Sequence, residues 1–457
     1  MGKSFKDLMK DGETAYADDR YADALAEFEA ALNLAREPHQ RSEALNRMAN
    51  ACYHLKDDKR AFVLLDQAAD AALPTADADK ASAIALARAW YDKGGMMAQV
   101  VRNATAFGPL DLLIDRFADG ASGGPTRDQD ELRYVVVLAM NLKASGLRKL
   151  ERARDAIACY DDMIRRFASV TETPVEDVIS SAMLYRAWLV GDLGRQDEEI
   201  AAYDALVARY GENHLLEVSH TILDALSGKL RCYREQEDYE KAVEVCDEII
   251  RRYYFDPGDG IAERVARTMI RRGNLLNKLG RTVEELASYD QVLEIYGGFD
   301  EPDVRIHVAK SLMFKAVSLG DADQVGAEMQ CYEEVLRRYA DDPADEVRAV
   351  AADALIHKGM SLGAIAEDAA EDTGVREVDA EIACYDEVLA RYGADESIHL
   401  KRTVAEALLH KADTLLNAGR FGEASSCLDR LIAAYAAIDD EELAETVKEA
   451  RALKAEI

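Results

Sequence analysis

Proline and glycine are scarce, at 8 and 27 of 457 residues. That argues against a strand-and-turn architecture, which both residues would punctuate. With 49% hydrophobic residues the chain is also too apolar for general disorder. Cysteine occurs seven times, an odd number with no C-x-x-C, which argues against a disulfide framework or a zinc ribbon. No apolar run reaches the ~18 residues of a membrane span. The segment MGKSFKDLMKDGE has no apolar stretch of a signal peptide. It carries Lys6 where myristoylation needs Ser or Thr, and its Gly-Lys-Ser lacks the upstream glycine of a phosphate loop. A cytoplasmic location is the expectation. Basic residues are also short: 56 Lys and Arg stand against 87 Asp and Glu, a net charge of −31. Such a field repels nucleic-acid backbones and anionic membrane surfaces, so neither is an expected partner.

What is present is a repeat. Six segments align: AIACYDDMIRRF (156–167), EIAAYDALVARY (199–210), AVEVCDEIIRRY (242–253), ELASYDQVLEIY (285–296), EMQCYEEVLRRY (328–339) and EIACYDEVLARY (381–392). ASSCLDRLIAAY (424–435) is a weaker seventh. Their central residues are Tyr160, Tyr203, Cys246, Tyr289, Tyr332, Tyr385 and Leu428, spaced by 43, 43, 43, 43, 53 and 43. The 53 reads as 43 plus a ten-residue insertion, and the acidic stretch 365–373 within it reads as an exposed loop. Apolar residues recur at helical spacing in each segment, and a second helical pattern precedes each one. Gly-Arg at 194–195, 280–281 and 419–420 marks the turn inside a unit, and Pro174, Pro257, Pro302 and Pro343 mark turns between units. The unit is therefore helix A, short turn, helix B, longer turn.

These units resemble tetratricopeptide repeats, in a long-repeat, bacterial-type variant of that family. The resemblance rests on the small residues Ala187, Gly273, Ala316, Gly359 and Ala412, the turn glycines Gly194, Gly280 and Gly419, and the tyrosine column. It departs in length, at 43 residues where ~34 is usual. It implies an all-α, right-handed α-solenoid of stacked helix-turn-helix repeats. Four segments are expected: 1–92, a block of shorter repeats; 93–126, an irregular repeat or hinge around Gly94-Gly95, Gly108-Pro109 and ASGGP; 127–438, about seven 43-residue repeats; and 439–457, a polar capping helix.

One helix A column is always basic: Arg186, Lys229, Arg272, Lys315, Lys358 and Lys411. The residue after the tyrosine column is always acidic. In an antiparallel hairpin the two columns lie level. The expectation is an ion pair bridging helices A and B of each unit: Arg186 with Asp204, Lys229 with Asp247, Arg272 with Asp290, Lys315 with Glu333, Lys358 with Asp386 and Lys411 with Asp429.

No catalytic constellation is visible. Cys159, Cys331, Cys384 and Cys427 share one repeat position, as do His357 and His410, which fits packing better than catalysis or metal binding. No cofactor, metal or enzymatic activity is expected. The resemblance implies a scaffold or adaptor binding a protein or peptide in a concave groove lined by helix A. One groove column holds Tyr185, Gly228, Arg271, Phe314, His357 and His410, and a second holds Trp188, Arg231, Asn274, Val317, Met360 and Asp413. Tyr185, Trp188, Arg231, Arg271, Asn274 and Phe314 are the preferred contact residues, because aromatics and arginines dominate interfaces. The carboxylate clamp of chaperone-binding relatives is incomplete, with Glu13 at its first asparagine position. The charge favours a partner with a basic patch. A regulatory subunit controlling a partner enzyme through the 93–126 hinge is the alternative, and an acidic DNA mimic is a third reading.

Overall fold

The computed structural model describes residues 3–101, 103–121, 130–171, 173–211, 216–254, 260–373 and 378–457. Among these the chain forms 21 α-helices, two 3-10 turns and no strand. The first helices are α1 (Phe5–Ala17), α2 (Tyr21–Leu34), α3 (Pro38–His54), α4 (Asp58–Ala72), α5 (Lys80–Val100), α6 (Gly108–Ala121) and α7 (Asp130–Lys149). Next come α8 (Ala153–Arg166), α9 (Thr173–Asp192), α10 (Gln196–Tyr210), α11 (Leu216–Glu235), α12 (Tyr239–Tyr253), α13 (Ile261–Lys278) and α14 (Thr282–Tyr296). The last are α15 (Pro302–Asp321), α16 (Val325–Tyr339), α17 (Asp345–Thr373), α18 (Asp379–Tyr392), α19 (Ile398–Asn417), α20 (Phe421–Tyr435) and α21 (Glu441–Ala455). They fall into two compact units, Met1–Cys232 and Tyr233–Ile457.

Each unit is a stack of helix pairs. In the second, α13 packs on α14, α15 on α16, α17 on α18 and α19 on α20, while neighbouring A helices also touch: α13 with α15, α15 with α17, α17 with α19 and α19 with α21. The first unit repeats the scheme with α1 on α2, α3 on α4, α7 on α8 and α9 on α10. Helix starts are set by short polar caps, as where Asp79 accepts from the Ser82 N–H at 2.9 Å and Asp440 from the Leu443 N–H at 3.1 Å. Inner turns close through one residue with positive φ. Gly194, Gly280 and Gly419 supply it at 70–75°. The N–H after each glycine reaches back to the helix, Arg195 to Val190, Arg281 to Leu276 and Arg420 to Leu415. Glu151, Glu237 and Asp323 adopt the same conformation at the equivalent turns, where a side chain is strained.

The tyrosine column is the core. Tyr160, Tyr203, Tyr289, Tyr332 and Tyr385 are all buried, and so are Cys246 and Leu428 in the same register. Gly273 exists for this ring: a Cβ there would strike Tyr289. Gly94 is likewise a contact residue, since α5 runs through Gly94 and Gly95 and a Cβ on Gly94 would meet the Leu110 side chain. Of the expected break at 93–126, residues 102 and 122–126 lie outside the described residues.

The acidic insertion is a correction. It was expected as a loop, yet α17 continues as a helix through Thr373, giving 29 residues against 20 in α15 and α19. The run AIAEDAAED is rich in helix-forming Ala and Glu and has no Gly or Pro to stop it. Among the described residues no helix is long and apolar enough to cross a membrane.

Candidate interaction face

The basic and acidic columns do pair, but one unit out of the expected register. Lys229 meets Asp204 at 2.6 Å, Arg272 meets Asp247 at 2.6 Å and Lys358 meets Glu333 at 3.3 Å. Arg186 pairs with Asp161, Lys315 with Asp290 and Lys411 with Asp386. Each cation reaches the helix B before its own unit, so the expected partners are replaced: Arg272 does not bridge to Asp290, nor Lys315 to Glu333. The level-hairpin argument fixes height along the helices. It leaves open which of the two flanking A helices a helix B side chain faces, and at ~100° per residue the position after the buried tyrosine turns to the following one. Lys454 on α21 continues the ladder onto Asp429, a rung not anticipated. The carboxylates are about half exposed, so each rung contributes little stability and chiefly fixes register.

The expected groove residues divide between the units. In the first, Tyr185 stacks on Tyr160 at 6.5 Å, Trp188 stands edge-on to Tyr185 at 5.3 Å, and the Arg148 guanidinium lies 4.8 Å over the Tyr185 ring. The Arg231 guanidinium is engaged by the buried Glu199 carboxylate. In the second unit Phe314 stacks on Tyr289 at 6.1 Å and His410 on Tyr385 at 6.1 Å. Asn274 accepts a 2.7 Å hydrogen bond from the Tyr289 hydroxyl. The first groove column is therefore seated on the preceding tyrosines. Packing does not consume it, since Phe314 keeps 37% of its surface exposed, as does Trp188 of the second column.

Arg271 is the exception. The tyrosine column offers it Cys246, and the half-buried guanidinium lies near that small thiol. Burial, with Arg267 and Arg234 nearby, lowers its pKa. Arg267 has one carboxylate partner, Glu263 at 3.2 Å, which also holds His307 at 2.9 Å. Among the described residues no carboxylate pairs with Arg234 or Arg271. Three arginines thus gather on the A face of a chain with a large negative charge.

One turn up the A helices the register brings Arg267, Lys310, Asp353 and Glu406 into a row, whose charge changes sign between α15 and α17. Between its ends lie the exposed Phe314, Val317 and Met360. His357 flanks them, its pKa lowered by burial and by His410. Asp353 accepts from the Thr403 hydroxyl at 3.0 Å, and burial pushes its carboxyl up to about 6. The ordinary value is ~3.9. Between those values the folded chain holds a proton that the unfolded chain has released, so stability falls as pH rises through that window and stays lower above it. Asp353→Asn, which keeps the acceptor and drops the charge, is expected to raise the melting temperature by a few degrees at pH 7.5 and leave it unchanged near pH 4. Equal gains at both pH values would show that the charge is not responsible.

Sequence reading missed a buried carboxylate column four residues before the tyrosines: Glu199, Glu285, Glu328 and Glu381. Glu199 accepts from the Tyr203 hydroxyl at 2.7 Å and Glu381 from Thr414 at 2.6 Å. Glu285 accepts from Tyr289 at 3.3 Å, Asn277 at 3.2 Å and Ser318, and Glu328 accepts from Ser361. All belong to the packing between units. Burial raises the Cys159 thiol to about 11 and Cys246 to about 12, so neither is poised as a nucleophile. Among the described residues no cluster of His, Cys, Asp and Glu is arranged to hold a metal.

The sequence model of the tetratricopeptide repeat matches residues 141–214. No curated protein matches the sequence. Among solved structures the chain is similar to the apo form of RapI, at 10% identity over 91% of this chain and 99% of that one, with a TM-score of 0.42. It is also similar to a signal-transduction ATPase with a tetratricopeptide-repeat sensor from Pyrococcus horikoshii, at 10% identity over 94% of this chain and 65% of that one, TM-score 0.40. A tetratricopeptide repeat protein from Parabacteroides merdae matches at 12% identity over 69% and 98%, TM-score 0.34.

Proposed function

We propose that this chain of tetratricopeptide-like repeats, matched by the family's model at residues 141–214, is a non-enzymatic scaffold or adaptor that binds a protein or peptide along the A helices. The observation that carries this is the exposed apolar strip Phe314, Val317 and Met360 on helices whose other faces are buried. Cations flank the strip at Arg267, Arg271 and Lys310, and carboxylates at Asp353 and Glu406. Apolar centres with charged rims are the usual anatomy of a recognition surface. The net charge of −31 steers a partner with a basic patch towards the chain, and the strip then selects a segment with an apolar centre. Arg271 and Phe314 are the contact residues, and His357, His410 and Asn274 shape the floor around them.

The test is recovery of partners from the cells that make the protein, with identification by mass spectrometry. The parent chain, Arg271→Ala and Phe314→Ala are compared. A partner held by the parent is expected to fall at least about tenfold on each variant, the loss typical of an interface hot spot. The same partners at the same yield on all three would remove the A face as the binding surface.

A further inference from the structure

Asp92 on α5 stands in the wall shared by two cavities of the first unit. The larger, about 780 Å³, is lined by Asn50, Tyr53, His54, Tyr91 and Phe107 among others. The smaller, about 440 Å³, is lined by Asn46, Arg47, Arg88, Glu131 and Tyr134 among others. Asn50 donates one amide hydrogen to Asp92 at 3.2 Å and the other to Asn46 at 3.0 Å. Asn46 stands close enough to the Asp92 carboxyl to favour its charged form. Burial pushes that carboxyl above the usual carboxylate range.

Its direct partner is an amide, and the Arg47 and Arg88 guanidinium groups act on it only through space. Arg47 is taken by Glu13 at 3.0 Å, and Arg88 by Glu131. Lys149 lines the larger cavity and makes no ion pair with Asp92 among the described residues. Among the described residues no cation lies within ion-pair distance of Asp92. A part-buried carboxylate whose direct donor is neutral, and whose nearby guanidinium groups are paired elsewhere, gains from a cation arriving from outside. With both Asn50 hydrogens spent, what remains on the cavity side is acceptors: the Asn50 carbonyl oxygen and the free lone pairs of Asp92. Tyr53, Tyr91 and Phe107 add ring surfaces around that floor. A planar cation with five fixed donors and a stacking face fits acceptors and rings together, whereas an ammonium offers a compact, strongly hydrated charge. The cavity is also larger than one side chain needs and within the range of whole-ligand sites.

We propose that this cavity receives the guanidinium of an arginine carried by a partner peptide, held on Asp92 and Asn50. The inference builds on the interaction role argued above, but it concerns the other unit of the chain and different residues.

The experiment is selection of a random displayed peptide library on the full chain and, in parallel, on Asp92→Asn. Peptides enriched on the parent are expected to share an arginine and to be lost on the variant. The synthetic form of an enriched peptide is expected to weaken at least about tenfold on Arg→Lys exchange or against Asp92→Asn, the loss of a charge-assisted hydrogen bond. Agmatine, the guanidinium without a peptide, is expected to compete only at far higher concentration. Agmatine binding as tightly as the peptide would overturn the peptide source, and enriched peptides without arginine, or none at all, would overturn the site. Asp92→Asn keeps one acceptor oxygen for Asn50 and removes a part-buried charge, so its melting temperature is expected to equal or exceed the parent's. A lower value would show Asp92 to be structural. Peptides whose binding depends on Arg271 and Phe314 but ignores Asp92 would overturn this inference alone.

Discussion

Ser318→Leu is expected to destabilise the unit Tyr233–Ile457 by about 2–4 kcal/mol, from removing a hydroxyl donor to the buried Glu285 carboxylate and overpacking the joint. Glu285→Ala in the same chain is expected to return most of that loss. The reason lies in three positions that change together along the repeats. Where the carboxylate column holds Glu, the residue 33 later is small or hydroxylic: Cys232 after Glu199, Ser318 after Glu285, Ser361 after Glu328 and Thr414 after Glu381. The residue eight earlier is Gly191, Asn277 or Gly320, and Gly363 plays that part before the insertion. A Cβ on Gly363 would lie 2.6 Å from the Glu381 carboxylate, so glycine leaves that group its room. In the two of the six aligned segments where the column holds Ala, at 156 and 242, the later residue is Leu189 or Leu275, both buried, and the earlier one is Arg148 or Arg234; the weaker seventh, with Ala424, has Leu416 and the exposed Ile457 at these positions. The molecule thus contains two solutions for the same joint, one polar and hydrogen-bonded, one apolar. Ser318→Leu builds half of the apolar joint around a carboxylate that still needs a donor. Adding Glu285→Ala completes it. Denaturant unfolding of both singles and the double gives the coupling directly, and additive losses would sink the two-solution account.

Much of the fold was legible because the 43-residue spacing is a property of the chain alone. The turn glycines sit at positive φ where the Gly-Arg pairs were noticed, and the tyrosines are buried in one register. The charge ladder was half legible. Sequence places its two columns at one height, but the choice between two flanking helices is a matter of azimuth that only packing decides. The Glu column was visible as letters and still escaped reading, because a glutamate on an amphipathic helix normally faces water. What would have betrayed it is the joint change with Ser, Thr or Cys 33 residues on. The Asp92 cavity had no such signal. Asn46, Asn50 and Asp92 meet through α3 and α5 in a part of the chain whose repeats do not align with the others.

Tyr289→Ala is expected to cost about 3–5 kcal/mol, as for other large aromatic core deletions, and to weaken partner binding as well. Tyr289→Phe is expected to cost only about 1 kcal/mol, the value of a buried hydrogen bond, and to leave binding nearly intact. The ring is 1% exposed and touches every layer of its joint. It fills the space that Gly273 leaves, supports Phe314 from below, and through its hydroxyl holds Asn274 and Glu285. Burial and Glu285 raise its pKa, so the phenol stays neutral and donating while the chain is folded. Phe retains the platform and loses the donor. Ala loses both, and Phe314 then has no ring beneath it to keep it presented. The Cys246 joint shows what the fold does without a ring at this point: a charged side chain, Arg271, settles there, and the surface changes from aromatic to cationic. Stability and surface chemistry are therefore written at the same positions. Denaturant midpoints for both variants, with partner affinity measured under conditions where each remains folded, test this directly. Unchanged binding by folded Tyr289→Ala would separate the core tyrosines from the recognition surface.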